Sequence, residues 1–164
     1  MKYMLFFALL SCIVVEAHPI PPTAHGITPQ TISASPAAGV SMADEILKYI
    51  NAYRRKKGLP PMAMNTVMSA EAQKHSENMA ARRTSFGHNG FQHRLKRISP
   101  ALNGLSGAAE NVAMGSTTAK EVVDNWLKSS VHKQNIEGAY NLTGIGVAPD
   151  KKGVLYFTQI FASN

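Results

Sequence analysis

Residues 126–136 read Trp126-Leu127-Lys128-Ser129-Ser130-Val131-His132-Lys133-Gln134-Asn135-Ile136. A tryptophan and a leucine close an apolar stripe, and polar groups follow at three-residue intervals: Ser129, His132 and Asn135. The stripe itself starts at Thr118, with Val122, Val123, Trp126 and Leu127 on one helical face. Thr117 or Thr118 caps this helix, and Glu121 stands at the turn behind the cap. Downstream, Thr143–Val147 and Val154–Phe161 read as strands, the second apolar on both faces and therefore buried. Pro149-Asp150-Lys151-Lys152-Gly153 supplies the hairpin turn between them.

Upstream, helical spacing begins at Met42, with Ile46, Leu47, Ile50 and Tyr53 on one face. Asp44 and Glu45 lie in the first turn and Arg54, Arg55, Lys56 and Lys57 in the last, matching the helix dipole. Gly58 and Pro60-Pro61 stop the helix, and the four bases read as its solvated end. A second helix runs from about Asn65 to Arg83, with Val67, Met68, Ala72, His75, Met79 and Ala80 as its buried stripe. His75 on that stripe reads as a hydrogen-bonded core histidine. Helices early and a hairpin late predict an α+β fold.

The 164 residues suffice for one domain, and 45% hydrophobic against 16% charged residues excludes a disordered chain. A single cysteine excludes an intrachain disulfide framework and a four-cysteine zinc site. Met1–Ala17 has the layout of a secretory signal peptide: Lys2, an apolar run, then Val15 and Ala17 before the cleavage point. Leu9-Leu10-Ser11-Cys12 also resembles a lipoprotein box, so lipid anchoring through Cys12 is the alternative route. The run is too short to span a bilayer and no later segment is as apolar, so no transmembrane helix is expected. Residues 18–41, rich in Pro, Ala, Ser and Thr, read as a flexible linker, which leaves residues 42–164 as the domain. The formal charge of +7 survives removal of residues 1–17, which takes away Lys2 and Glu16 together. Such a charge favours anionic partners. Nucleic acid is not among those expected, since no recognition motif is present.

Three polar segments carry a resemblance when taken in order. They are Phe86-Gly87-His88-Asn89-Gly90-Phe91-Gln92-His93-Arg94, then Gly107-Ala108-Ala109-Glu110-Asn111-Val112-Ala113, then the segment at 126–136. Together they resemble the CAP superfamily of cysteine-rich secretory proteins, antigen five and pathogenesis-related class 1 proteins, and most of all its cysteine-poor bacterial branch. The similarity extends over about residues 43–162. "AENVA" stands where that family has Gly-Glu-Asn, and "WLKSSVHKQNI" resembles the bacterial Trp-x-x-Ser-x-x-His-x-x-Asn-Ile. "LYFTQIF" resembles the family's His-Tyr-Thr-Gln strand. The resemblance implies a three-layer α-β-α sandwich with a central, mostly antiparallel sheet, and an extracellular or periplasmic, monomeric module. It also implies a central cleft, into which His88 and Glu110 fit as the first histidine and glutamate. Ser129 occupies the place of the second glutamate and Tyr156 that of the second histidine, and His132 is the replacement imidazole. No caveolin-type sterol motif is present.

Two imidazoles and a carboxylate can hold Zn²⁺ at about 2.0–2.2 Å. His88, His132 and Glu110 are therefore the candidate ligands for zinc or another divalent cation, and metal-assisted hydrolysis of a peptide-like bond is one reading. Ser129 as nucleophile with His132 as base is a metal-free variant, although no Gly-x-Ser-x-Gly elbow exposes the serine. A third reading makes the cluster a buried hydrogen-bond network, with Asn111 and Asn135 tying loops to the backbone and Trp126 and Gln159 supporting the cleft. The preferred function is binding of a lipid, sterol, peptide or cell-wall component, or of an anionic envelope surface. His93, Arg94 and Arg97 read as a solvated basic strip.

Overall fold

The computed structural model of the chain describes residues 40–164. The expected signal peptide, Cys12 and nearly all of the linker lie outside the described residues. Helix α1 spans Met42–Lys56, with Ser41 as its N-cap accepting from the Asp44 N–H. Strand β1 is the pair Ala63–Met64, and α2 follows over Thr66–Ala80, capped by Asn65. Helix α3 (Phe91–Ile98) leads through a 3₁₀ turn at Ser99–Leu102 into β2 (Gly107–Met114). Helices α4 (Ala119–Lys128) and α5 (Ser130–Glu137) precede the hairpin of β3 (Leu142–Pro149) and β4 (Leu155–Ser163). Among the described residues, no helix is long and apolar enough to cross a membrane.

The strands order as β1-β3-β4-β2. Only the β1–β3 contact is parallel, so the expected mostly antiparallel sheet is observed. Period-two alternation splits β4 between two cores. Phe157 and Phe161 pack with Ile46, Ile50, Val122 and Trp126 in the α1/α4/α5 layer. Ile160 and Ala162 face the other way, onto Met68, Ala72 and Ile98 of the α2/α3 layer. Helix α2 can lie this close to the sheet because β3 offers Gly144 and Gly146. A Cβ at either would overlap the α2 backbone, at Met68 and Ser69 or at Ala72 and Gln73.

Two expectations need correction here. Arg54 does not belong to a solvated helix end, for it is 1% exposed. Its guanidinium donates to the carbonyls of Pro60, Ile136, Gly138 and Tyr140 at 2.8, 2.7, 2.9 and 3.1 Å. It thereby satisfies the carbonyls that α5 leaves open at its end, which water would otherwise have to solvate. Val67 is exposed rather than part of the α2 stripe, because the helix turns it off the sheet while Ser76 takes a buried place. Ser76 Oγ donates to Gly146 O at 3.0 Å and to Thr158 Oγ1 at 2.8 Å.

Candidate functional site

Strand β2 is an outer strand, and its alternation sends two neighbouring residues to opposite faces. Glu110 stands opposite Ile160 and faces the α2/α3 layer, whereas Asn111 stands opposite Gln159 and faces α4 and α5. A carboxylate buried this way needs partners, since desolvation of an unpaired charge is costly. Arg94 provides them. Its Nε reaches Glu110 Oε2 at 2.8 Å and its Nη2 reaches Oε1 at 2.7 Å, while Nη1 donates to Asn89 O at 2.8 Å. The expected solvated strip is therefore wrong for Arg94, which α3 turns inward together with Ile98, one helical turn on. His93 is exposed as expected, and so is Arg97, which clasps Glu71 at 2.7 and 2.6 Å.

His88 Nδ1 lies 3.0 Å from Glu110 Oε1. An ionised carboxylate only accepts, so Nδ1 carries the hydrogen and the Nε2 lone pair is left free. The ring is about half exposed, so that lone pair is open to a ligand. The loop that presents it is pinned from beneath. His75 Nε2 donates to Gly87 O at 2.8 Å, and Phe91 N–H donates to His88 O at 3.0 Å. His75 is thus a hydrogen-bonded core histidine, and its burial first, then the nearby Arg94, hold its pKa below the usual value of 6.5, against the pull of the Gly87 carbonyl.

On the other face, Asn111 Nδ2 donates to His132 O at 3.1 Å and its Oδ1 accepts from Asn135 Nδ2 at 2.8 Å. Two outward carbonyls of β2 receive long side-chain bonds: Glu110 O from Asn135 at 3.4 Å and Val112 O from Trp126 Nε1 at 3.5 Å. Helices α4 and α5 thus cover part of the edge strand, and Asn111 and Asn135 tie it to the backbone at His132. Burial first, and then the charge of His88, lowers the His132 pKa from its ordinary 6.5.

Ser129 (φ −89°, ψ 123°) ends α4 and is the N-cap of α5, in whose first turn His132 lies, and among the described residues its hydroxyl forms no hydrogen bond with His132. The other candidates sit farther off. Tyr156 is the partner of Met114 and Ala148, four residues along β4 from Ile160 and roughly 13 Å from it at the rise of a strand. It packs edge-on to Phe86, with ring centroids 6.4 Å apart. Gln159 is buried and donates to Thr143 Oγ1 at 3.1 Å. Among the described residues, no three His, Cys, Asp or Glu side chains converge to hold a metal ion. Glu110 does not fit as a ligand, because Arg94 and His88 take both of its oxygens. It fits instead as the group that orients a histidine from behind.

The sequence profile of the Cysteine-rich secretory protein family (CAP) matches residues 47–161. An uncharacterized Bacillus subtilis protein, YkwD, is 27% identical over 136 residues, covering 79% of this chain and 50% of that protein. The human Golgi-associated plant pathogenesis-related protein 1 is 32% identical over 112 residues, covering 67% of this chain and 64% of that protein. The chain thus spans between half and two thirds of these relatives. An extracellular SCP-domain protein from Bacillus anthracis superposes with a TM-score of 0.62 at 25% identity, over 75% of this chain and 40% of that one. An outer surface protein of Borrelia burgdorferi does so at 0.62 with 18% identity, over 76% of this chain and 96% of that one, a likeness of fold.

Proposed function

Because this chain belongs to the cysteine-rich secretory protein (CAP) family, we propose that it is a secreted binding module whose ligand docks at the imidazoles of His88 and His132. The ligand is a lipid, sterol, peptide or cell-wall component, and the wider partner is an anionic envelope surface. Export through residues 1–17, with lipid on Cys12 as the alternative, belongs to the same reading. The observation that supports it most is the state of Glu110. Both oxygens are spent on Arg94 and His88, so the carboxylate is neither a free base nor a free metal ligand. What it does is fix the His88 tautomer, leaving Nε2 as an acceptor for a ligand hydroxyl or amide N–H.

A divalent cation would rest on His88 Nε2 and His132, with Glu110 behind His88, and when bound it would supply Lewis acidity at that point. Metal-assisted hydrolysis by His88, Glu110 and His132 is the weaker reading, since among the described residues no further carboxylate joins them to serve as base. The test is a panel of esters, casein and peptidoglycan fragments with and without zinc, beside calorimetric zinc titration of the wild type, His88→Ala and His132→Ala. No turnover, with ligand-induced shifts of the His88 and His132 ring signals in NMR spectra, is the expected outcome. Turnover lost in His88→Ala would replace the binding module with a hydrolase.

A further inference from the structure

The chain's excess positive charge is not spread evenly. Where α2 ends and the β3–β4 hairpin turns, Arg82, Arg83, Lys151 and Lys152 are all exposed. They line two adjoining depressions of about 310 and 400 Å³ that share Ala80, Ala81, Asp150 and Lys151. Among the described residues, none of these four cations forms an ion pair. Two acids stand among them, Asp150, whose Oδ1 accepts the backbone N–H groups of Lys152 and Val154 at 2.8 and 2.9 Å, and Glu77, whose Oε1 accepts from Gln73 at 3.0 Å, so four cations against two acids leave the cluster net positive.

An apolar margin adjoins this basic cluster. Phe86 and Met114 are 50% and 48% exposed, unusual for side chains of their size. Both meet Tyr156: Phe86 by its ring edge and Met114 as its strand partner. Tyr156 is in turn paired with Ala148, which lines the second depression beside Arg83 and Lys151. Phe86 also follows Arg83 by three residues, and Gly115, next to Met114, lines a depression with Lys152, so the apolar pair flanks the basic cluster.

We infer that this surface docks on the headgroup layer of an anionic phospholipid bilayer. Lipid phosphates would meet Arg82, Arg83, Lys151 and Lys152, and Phe86 and Met114 would enter the headgroup boundary. A soluble polyanion would use the cations but has no use for the exposed Phe86 and Met114. The inference rests on the proposal that the partner surface is anionic, and adds which face of the molecule meets it.

The test is flotation of the full chain with phosphatidylcholine vesicles, with and without phosphatidylglycerol, across a salt series. Three variants, each checked for folding by circular dichroism, accompany it: K151E/K152E, F86S, and R55E/K56E at the end of α1, which carries the same charge change. Binding to the anionic vesicles is expected to weaken roughly tenfold or more in K151E/K152E, at about 1 kcal/mol per basic residue. F86S should weaken it several-fold while keeping its salt dependence, and R55E/K56E should stay near the wild type. Equal losses in the two charge-reversed variants would overturn the assigned face and leave only net charge. Unchanged binding by F86S, with soluble polyphosphate competing as well as vesicles, would replace the bilayer with a polyanion. A wild type that ignores anionic vesicles altogether would overturn the anionic partner itself.

Discussion

Arg94 meets Glu110 edge to edge, Nε to Oε2 at 2.8 Å and Nη2 to Oε1 at 2.7 Å, with the two side chains only 5% and 1% exposed. The planar fork of a guanidinium matches a carboxylate in a way that an ammonium does not. The pair links α3 to the outer strand of the sheet and leaves one lone pair of Oε1 for His88. It is therefore both a tie between layers and the support on which the exposed imidazole stands.

Removing one partner should cost much more than removing both. Arg94→Met leaves the buried carboxylate with only the half-exposed His88 as partner and is expected to cost about 3–5 kcal/mol in urea unfolding. The double variant Arg94→Met/Glu110→Leu should recover a large part of that loss, as apolar replacement of buried pairs often does. A double variant as unstable as the single one would mean that the pair contributes through packing and not through charge.

Acid should weaken the domain before its carboxylates titrate. His75 has a folded pKa held below its ordinary 6.5 by burial. The unfolded chain therefore takes up a proton near pH 6.5 that the folded chain refuses. Stability is fully present above pH 6.5 and falls as pH drops toward the lower folded value. His132, lowered by burial and by His88, adds to the same slope. Glu71 is also shifted down, by Arg97, but from 4.5, so its loss begins further into acid. Urea midpoints between pH 7.5 and about pH 5 should fall in the wild type. They should fall less in His75→Gln, which keeps a donor toward Gly87 O without titrating.

Much of this was legible in the sequence, and the failures have a common cause. Helices α1, α2 and α4 announce themselves through apolar spacing and through Ser41, Asn65 and Thr118 as caps. The hairpin is read from β4, apolar on both faces. Helix α3 is not legible in the sequence, because its eight residues bury only Arg94 and Ile98 and an arginine does not register as core. Strand β2 is equally hidden, because its alternation runs through alanines, Glu110 and Asn111. A buried guanidinium looks like a surface one until its acceptors are known. Arg54 and Arg94 were both hidden in basic runs for that reason. The available signal was Phe91, Arg94 and Ile98, spaced three and four apart as one helical face requires. His88, Glu110, Asn111 and Asn135 were visible through their motifs, but the role of Glu110 as holder of His88 depended on the partner that was not seen.

Arg54 should prove one of the most sensitive surface-coded positions in the chain. Its four carbonyl acceptors lie at Pro60 and along the exit from α5, at Ile136, Gly138 and Tyr140. Arg54→Met fills the volume but strips those oxygens of their donor. At about 1–3 kcal/mol for each buried group left unsatisfied, a loss of about 3 kcal/mol or more is expected. Amide exchange should speed up around residues 136–141 well before global unfolding. Arg55→Met, one residue on and exposed, should change neither quantity.

The last prediction tests whether the seating of α2 controls the site. Gly146 lies against the backbone of Ala72 and Gln73, and a Cβ there has nowhere to go without lifting the helix. The same contact is stitched by Gln73, which bonds both the N–H and the C=O of Val147 at 2.9 and 3.1 Å, and by Ser76 on Gly146 O. Gly146→Ala is therefore expected to cost about 3 kcal/mol or more, the upper end for overpacking. Gly153 is the comparison. It has open space around it but a φ of +82°, so Gly153→Ala should cost only about 1–2 kcal/mol of backbone strain. The two variants should also differ at a distance. Helix α2 carries His75, which holds the carbonyl of Gly87 and so the loop that presents His88 to Glu110. The His88 ring resonances should move in Gly146→Ala and stay in place in Gly153→Ala. Unmoved His88 signals in a clearly destabilised Gly146→Ala would show that the loop is held by Arg94 and Glu110 alone, with α2 contributing nothing to the geometry of the site.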